Sequence, residues 1–277
     1  MLSAMGFDRS AAETALTVCN GNVEAAANLL LSGGTDDPSS SSPFIQHQSI
    51  SDEPPSAGTM IVASSSQYSF DNGRSACTCM ALQMAKTFLT QITAVGDALQ
   101  VVRPEFMDQS LPQGVQVYES IAKNSSDEHL SAEQALPYFL KENDMQQEGG
   151  IVNGLLSNDT SHPLGLSQLL RQNQQQSRWC CIIITKTPET VLVCLPPRDT
   201  VATGNSHNFV LLDSHPRPHL WAQATQAYAK CHTRLEDLLH SLQAIFPVVD
   251  LGNDIPELMA AMYNSFDLYV LTRSATS

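Results

Sequence analysis

The spacing of apolar positions predicts two short helices in the first 32 residues. Ser10 and Glu13 have the spacing of a capping box, in which each side chain bonds a backbone N–H at a helix start. A turn signal follows at Asn20-Gly21, and Asn22 is an N-cap for the next helix. The apolar positions at helical spacing are Ala12, Ala15 and Leu16, then Val23, Ala26, Ala27 and Leu30. A unit of this size buries little apolar surface, so it can form only a small domain.

Residues 33–60 are rich in serine, proline and glycine. They include Gly33-Gly34, four serines at 39–42 and the pair Pro54-Pro55. Such a composition cannot bury enough apolar surface to offset the conformational entropy lost on ordering. We therefore expect a flexible linker between a small domain of residues 1–32 and a larger domain of residues 61–277.

The larger segment carries helix patterns first and strand patterns later. The helix patterns cover residues 76–89, 130–140 with a kink or break expected at Pro137, 164–170 and 234–245. The strand patterns cover residues 180–185, 190–195, 208–213 and 266–271. A mainly helical front and a strand-rich back predict one domain of the α+β class.

Composition and charge exclude several classes of function. The 277 residues carry 14 Lys+Arg against 28 Asp+Glu, whereas nucleic-acid binding needs clustered positive charge, so no nucleic-acid partner is expected. No apolar run approaches the ~20 residues of a membrane span, and residues 1–5 lack the pattern of a secretory signal. We therefore expect no membrane contact and a cytoplasmic or nuclear location. The 7 cysteines are an odd number without a secretory signal, which indicates reduced thiols. They form no C-x-x-C pair, so no structural metal is expected.

A candidate nucleophile lies where a polar loop runs into the helix predicted from residue 76. Cys77 is at this junction. A thiol at a helix N-terminus faces unpaired N–H groups and the positive end of the helix dipole, which favours the reactive thiolate. Cys79 is the alternative nucleophile, although we expect it to pack inward. Taken alone, either cysteine is more often a small apolar packing residue.

A candidate acid–base pair ends the apolar strand at residues 208–213. Asp213 and His215 are two residues apart, so on a strand they share a face with Cα atoms about 6.5 Å apart. The carboxylate can then bond one imidazole nitrogen and leave the other as a base. His207 is the competing base, but on a straight strand it lies roughly 20 Å from Asp213. A surface turn is the alternative interpretation of residues 213–216.

An amide side chain upstream of the cysteine could stabilise an oxyanion. Gln67 precedes Cys77 by ten residues, and Asn72 could serve in the same way. A loop glutamine is more commonly just solvated, so this assignment depends on the other residues of the site.

The N-terminal segment resembles a ubiquitin-associated (UBA) domain. The residues that carry this resemblance are Met5-Gly6-Phe7, Ala15-Leu16, Gly21 to Ala26, and Leu29-Leu30. In that family a Met-Gly-Phe loop and the end of the third helix form an apolar ubiquitin-binding patch. The resemblance therefore implies that Met5, Gly6, Phe7, Leu29 and Leu30 bind ubiquitin.

A second resemblance covers residues of about 60 to 271. Gln67, Cys77 and the run Asp213-Ser214-His215-Pro216-Arg217 are similar to the deubiquitinating cysteine proteases of herpesvirus large tegument proteins and their relatives. The resemblance implies a papain-like fold and no metal or cofactor. It also implies that Cys77 is the nucleophile, His215 the general base and acid, Asp213 its orienting group and Gln67 the oxyanion donor.

Both resemblances indicate ubiquitin as the partner. The sequence therefore predicts a ubiquitin isopeptidase with a tethered ubiquitin-binding domain. Two alternatives remain open: a non-catalytic ubiquitin-binding adaptor with a papain-like body, and a papain-fold peptidase of a ubiquitin-like modifier.

Overall fold

The computed structural model describes residues 58–93, 96–123, 129–141, 144–199, 209–252 and 255–274. The chain divides into a unit of residues Met1–Glu53 and a unit of residues Pro54–Ser277, and all described residues belong to the second unit. The five predicted ubiquitin-binding residues, nearly all of the predicted linker and His207 lie outside the described residues. The boundaries of the N-terminal domain and linker therefore stay predictions.

The described unit begins with one strand and four helices. They are β1 (Thr59–Val62), two 3-10 turns (Gln67–Ser69 and Gly73–Ser75), α1 (Cys77–Gln91), α2 (Ala98–Val101), α3 (Pro104–Ala122) and α4 (Ala132–Phe139). The other six strands follow, with three further helices among them. These elements are β2 (Met145–Leu155), α5 (Leu166–Gln174), β3 (Cys180–Lys186), β4 (Glu189–Leu195), β5 (Phe209–Asp213), β6 (Tyr228–His232), α6 (Leu235–Ile245), α7 (Glu257–Tyr263) and β7 (Ser265–Arg273).

The seven strands form one antiparallel sheet with helices on both faces. The strand order is β1-β6-β5-β4-β3-β7-β2. Alternate residues of β3 enter different apolar clusters: Cys181 and Ile183 pack with α1, α3 and α4, whereas Ile182 and Ile184 pack with α5 and α6. The sheet is therefore the middle of three layers, with a core on each face.

The position of α1 depends on close packing against α3. Gly114 of α3 lies so near α1 that a Cβ at this position would be 2.6 Å from the Cα of Met80. Only glycine allows two backbones to approach in this way. Since α1 begins at Cys77, this packing also fixes the backbone of the candidate nucleophile.

Each helix and strand predicted for the larger segment is present, with ends that differ by a few residues. The predicted break at Pro137 does not occur, because α4 continues through Pro137 and ends at Phe139. The apolar pattern missed β1, β2, β6, α2, α3 and α7. In β2 a register shift between Glu148 and Val152 interrupts the period of two, and α3 contains Pro112 as well as Gly114.

Candidate active site

Cys77 is the first residue of α1, and only Ala76 separates it from the 3-10 turn Gly73–Ser75. The residue is 3% exposed. Its Sγ donates a hydrogen bond of 3.7 Å to the carbonyl oxygen of Pro188, in the turn that joins β3 to β4. The structure therefore places the candidate nucleophile at a helix start, with its thiol held against a turn of the sheet.

The protonation of Cys77 differs from the expectation based on the helix dipole. Burial raises the pKa of the thiol, and hydrogen bonds with Thr78 and Thr190 offset only part of this effect. The hydroxyls of these two threonines lie 3.1 Å apart and join the start of α1 to β4. Burial therefore favours the neutral thiol over the thiolate in the free protein.

A cavity of about 160 Å³ lies beside Cys77. The start of α1, the start of α4, the β3–β4 turn and β7 form its walls. Most of its lining carries hydroxyl groups, from Ser75, Thr78, Ser131, Thr185, Thr187, Thr190 and Tyr269, and Asp267 and His129 add two titratable groups. The side chain of Cys77 thus borders a cavity with many hydroxyl groups in its lining, and it belongs to neither apolar core cluster.

Cys79 has different surroundings. It is fully buried in the apolar cluster that α1 shares with the sheet. Burial, together with the nearby Cys77, raises the pKa of its thiol to about 12. Residues two apart on a helix do not face the same side, so the two thiols occupy separate environments. These environments favour Cys77 over Cys79 as the nucleophile.

The structure brings Asp213 and His215 together at the end of β5. Oδ1 of Asp213 lies 2.6 Å from Nδ1 of His215 and accepts a 2.8 Å hydrogen bond from the His215 backbone N–H. Both residues are buried. With Nδ1 held by the carboxylate, Nε2 is the nitrogen available for proton transfer.

The second carboxylate oxygen of Asp213 is linked through Arg217 to Glu189 at the start of β4. Oδ2 of Asp213 accepts a 2.9 Å hydrogen bond from Nε of Arg217, whose two terminal nitrogens donate to Glu189 at 3.2 and 2.9 Å. Burial alone would raise the pKa of Asp213, but the charges of His215 and Arg217 and the hydrogen bonds of His215 hold it below its ordinary value. Asp213 is therefore a carboxylate at neutral pH.

Sequence reasoning assigned no role to Arg217 or Glu189. A local signal existed for Arg217, because it follows Asp213 by four residues and carries the opposite charge. Glu189 gave no such signal, since its pairing with Arg217 joins the first residue of β4 to the loop after β5, 28 positions later.

The β3–β4 turn connects the thiol with the acid–base pair. Pro188 accepts the hydrogen bond of Cys77, and the next residue, Glu189, pairs with Arg217, the partner of Asp213. Among the described residues no hydrogen bond joins Cys77 Sγ to the His215 ring. The candidate acid and base are thus hydrogen-bonded to each other, and the thiol of the candidate nucleophile contacts the same turn without a hydrogen bond to the His215 ring.

Gln67 is buried and bonded to the residue between the acid and the base. Its backbone N–H donates to the Ser214 carbonyl oxygen at 3.0 Å, and its Oε1 accepts from Ser214 Oγ at 2.9 Å. Asn72 is exposed, and its Nδ2 donates to Glu119 of α3 at 3.3 Å. The structure therefore places Gln67, and not Asn72, in one hydrogen-bonded group with Asp213 and His215.

Within the part of the chain that the structure describes, no group of three or more His, Cys, Asp or Glu residues could hold a metal ion. No helix among the same residues combines the length and the apolar character of a membrane span.

Comparisons with known proteins agree with both halves of the sequence analysis. Residues 1–30 match the UBA/TS-N domain family, which confirms the predicted UBA segment.

The fold is similar to that of the ubiquitin-specific protease encoded by murine cytomegalovirus tegument protein M48, solved in complex with a ubiquitin-based suicide substrate. That match has a TM-score of 0.54 and 13% identity, and it covers 79% of this chain and 88% of the viral chain. No curated protein matches the chain in sequence. The predicted α+β, papain-like fold class is confirmed.

Proposed function

We propose that the chain is a thiol-dependent deubiquitinase, which hydrolyses the peptide or isopeptide bond after the C-terminal glycine of ubiquitin. The observation that carries the proposal is the hydrogen-bonded group at the end of β5, which joins Asp213, His215 and Gln67. The structural likeness to a viral ubiquitin-specific protease and the UBA match at residues 1–30 support ubiquitin as the substrate.

The proposed reaction has two steps. Nε2 of His215 takes the proton of the Cys77 thiol, and the thiolate attacks the carbonyl carbon after the ubiquitin glycine. Nε2 of Gln67 and the backbone N–H of Cys77 donate to the oxyanion, and His215 then protonates the leaving amine as the C–N bond breaks. In the second step His215 deprotonates a water, which attacks the thioester and releases ubiquitin and the free thiol.

Substrate binding has to change the position of the thiol. In the free protein Cys77 Sγ donates to the Pro188 carbonyl, and burial favours its neutral form. The thiol can transfer its proton to His215 only after it leaves this carbonyl. We therefore propose that the arriving ubiquitin C-terminus displaces the thiol towards the base, so that activation follows binding.

The resting position of the thiol also favours a second candidate function. A papain-like body whose thiol never reaches His215 would be a ubiquitin-binding adaptor without activity. The absence of a Cys77–His215 hydrogen bond among the described residues is the observation that supports it.

Hydrolysis assays separate these candidates and test the base. The substrates are ubiquitin aminocoumarin amide and the same amide of ubiquitin-like modifiers. We expect the wild type to hydrolyse the ubiquitin amide, His215→Ala to lose at least about a thousandfold in kcat/KM, and His207→Ala to stay within about twofold.

Other results would change the assignment. Loss of hydrolysis with His207→Ala and its retention with His215→Ala would contradict the proposed base. Hydrolysis of a ubiquitin-like modifier amide alone would change the substrate, and no hydrolysis by a folded wild type would favour the adaptor.

A further inference from the structure

Ser214 separates Asp213 from His215 and contacts Gln67 at two points. Its Oγ donates to Oε1 of Gln67 at 2.9 Å, and its carbonyl oxygen accepts from the Gln67 backbone N–H at 3.0 Å. Ser214 and Gln67 are each 2% exposed. One three-residue segment therefore carries the acid, the base and the residue that holds the glutamine.

The side-chain contact leaves one end of the Gln67 amide available. A glutamine amide has an acceptor oxygen and a nitrogen with two donor hydrogens. Oε1 is bonded to Ser214, whereas Nε2 makes no hydrogen bond within the part of the chain that the structure describes. A donor without a protein partner, on an amide that is otherwise fixed, is what stabilisation of a developing oxyanion requires.

We propose that Ser214 is a positioning residue for the hydrolysis of ubiquitin conjugates. Its hydroxyl holds the Gln67 amide so that Nε2 meets the oxyanion of the tetrahedral intermediate. This inference rests on the proposed function. The hydroxyl acts before the reaction begins, because a donor that is already in place stabilises the transition state without reorganisation.

Two ubiquitin reagents isolate the oxyanion step. Hydrolysis of ubiquitin aminocoumarin amide passes through a tetrahedral oxyanion. A C-terminal bromoethylamide of ubiquitin instead alkylates the thiolate: a C–S bond forms, the C–Br bond breaks and bromide leaves, so no oxyanion develops. The second reaction therefore reports ubiquitin docking and thiol reactivity alone.

Threonine and valine at position 214 are a matched pair, because they have nearly the same shape and differ in the hydroxyl. We expect Ser214→Val to lower kcat for hydrolysis about 10–100-fold, with KM and the alkylation rate unchanged, and Ser214→Thr to stay within about threefold of the wild type. In a Gln67→Ala background, adding Ser214→Val should lower kcat by less than about a further twofold, because the amide that the Ser214 hydroxyl holds is already absent.

Ser241→Ala is the control for loss of a buried serine hydroxyl. Ser241 is buried and accepts a 3.0 Å hydrogen bond from Lys230, outside the site. We expect the kcat of Ser241→Ala to equal that of the wild type. Thermal melting of each variant is the control for folding.

Three results would overturn the inference. Equal kcat in the threonine and valine variants would remove the role of the hydroxyl. Equal loss of hydrolysis and alkylation in Ser214→Val would indicate a structural defect. If Ser214→Val lowers kcat as much in the Gln67→Ala background as in the wild type, the Ser214 hydroxyl acts through a residue other than Gln67. A folded wild type that reacts with neither reagent would overturn the proposed function itself. That result differs from failure of the inference alone, in which the wild type reacts with both reagents and Ser214→Val has the same kcat as the wild type.

Discussion

Cys77 and Asp213 are both buried, yet their surroundings act on their protonation in opposite ways. Asp213 is bonded to His215 and Arg217, whose charges outweigh burial and keep the carboxyl ionised. Cys77 is bonded to a carbonyl oxygen and neighbouring threonines, which do not outweigh burial. At the residue scale Asp213 is therefore ionised before any substrate binds, whereas under the proposed function the Cys77 thiol would become a thiolate only when substrate binds.

The pH dependence of alkylation tests this difference. Because only the thiolate reacts and the pKa of Cys77 lies above its ordinary value, the rate of modification by iodoacetamide in the free protein should still be rising at about pH 9. Peptide mass spectrometry reports modification of Cys77 separately from the other cysteines. We expect His215→Ala to leave this profile unchanged.

A plateau between pH 6 and 8 that disappears in His215→Ala would contradict this account. It would show that the free protein already contains a thiolate–imidazolium pair.

The sequence predicted which candidate residues lie close together better than it predicted their burial and protonation. Asp213 and His215 were predictable as a pair because a spacing of two on a strand brings side chains to one face. The helix start at Cys77 was equally local. Its burial was not predictable, because the Pro188 contact that covers it joins residues 111 positions apart. Ser214 gave no signal either, since its partner Gln67 is 147 positions away.

At the element scale, the segment between β1 and α1 determines where Gln67 lies. The two 3-10 turns fold back on each other, and Gly73 of the second turn approaches the backbone of Gln67 in the first. A Cβ at Gly73 would lie 1.9 Å from the Gln67 carbonyl oxygen, which is far inside contact distance. The turn pair therefore depends on glycine at this position.

Gly73→Ala should displace Gln67 from Ser214. We expect a loss of at least about tenfold in kcat for ubiquitin amide hydrolysis and a destabilisation of about 1–3 kcal/mol, measured by urea unfolding. Gly150→Ala is the matched control, because nothing lies within 4 Å of a Cβ there. Wild-type kcat in a folded Gly73→Ala protein would show that the turn pair does not position the amide.

The elements themselves were predictable wherever apolar residues dominated the segment. β3, β4 and β5 are continuous apolar runs because each packs on an apolar cluster at both faces, and α6 has a helical apolar period because it packs on one of these clusters. β1 and β6 are short, and β6 reads Tyr228-Ala-Lys-Cys-His232, with Lys230 and His232 buried. Buried polar residues of this kind depend on partners from other elements, such as the contact of Lys230 with Ser241, and so leave no local pattern.

At the scale of the whole molecule, a UBA match and a papain-like fold occur in one chain of 277 residues. In the proposed function, the N-terminal segment binds one ubiquitin of a conjugate and raises the local concentration of ubiquitin for the active site. The residues proposed for that contact are Met5, Gly6, Phe7, Leu29 and Leu30. Ubiquitin recognition would then be a property of the N-terminal segment, and hydrolysis a property of the larger domain that would require Cys77.

The most direct test of the account is covalent capture by ubiquitin with a thiol-reactive C-terminus, measured by intact mass. Wild type, Cys77→Ala and Cys79→Ala are compared, with thermal melting as the control for folding. The account predicts one ubiquitin adduct on the wild type and on Cys79→Ala, and none on Cys77→Ala. An adduct that persists in Cys77→Ala, or its absence from a folded wild type, would contradict the assignment of Cys77 as the nucleophile of a deubiquitinase.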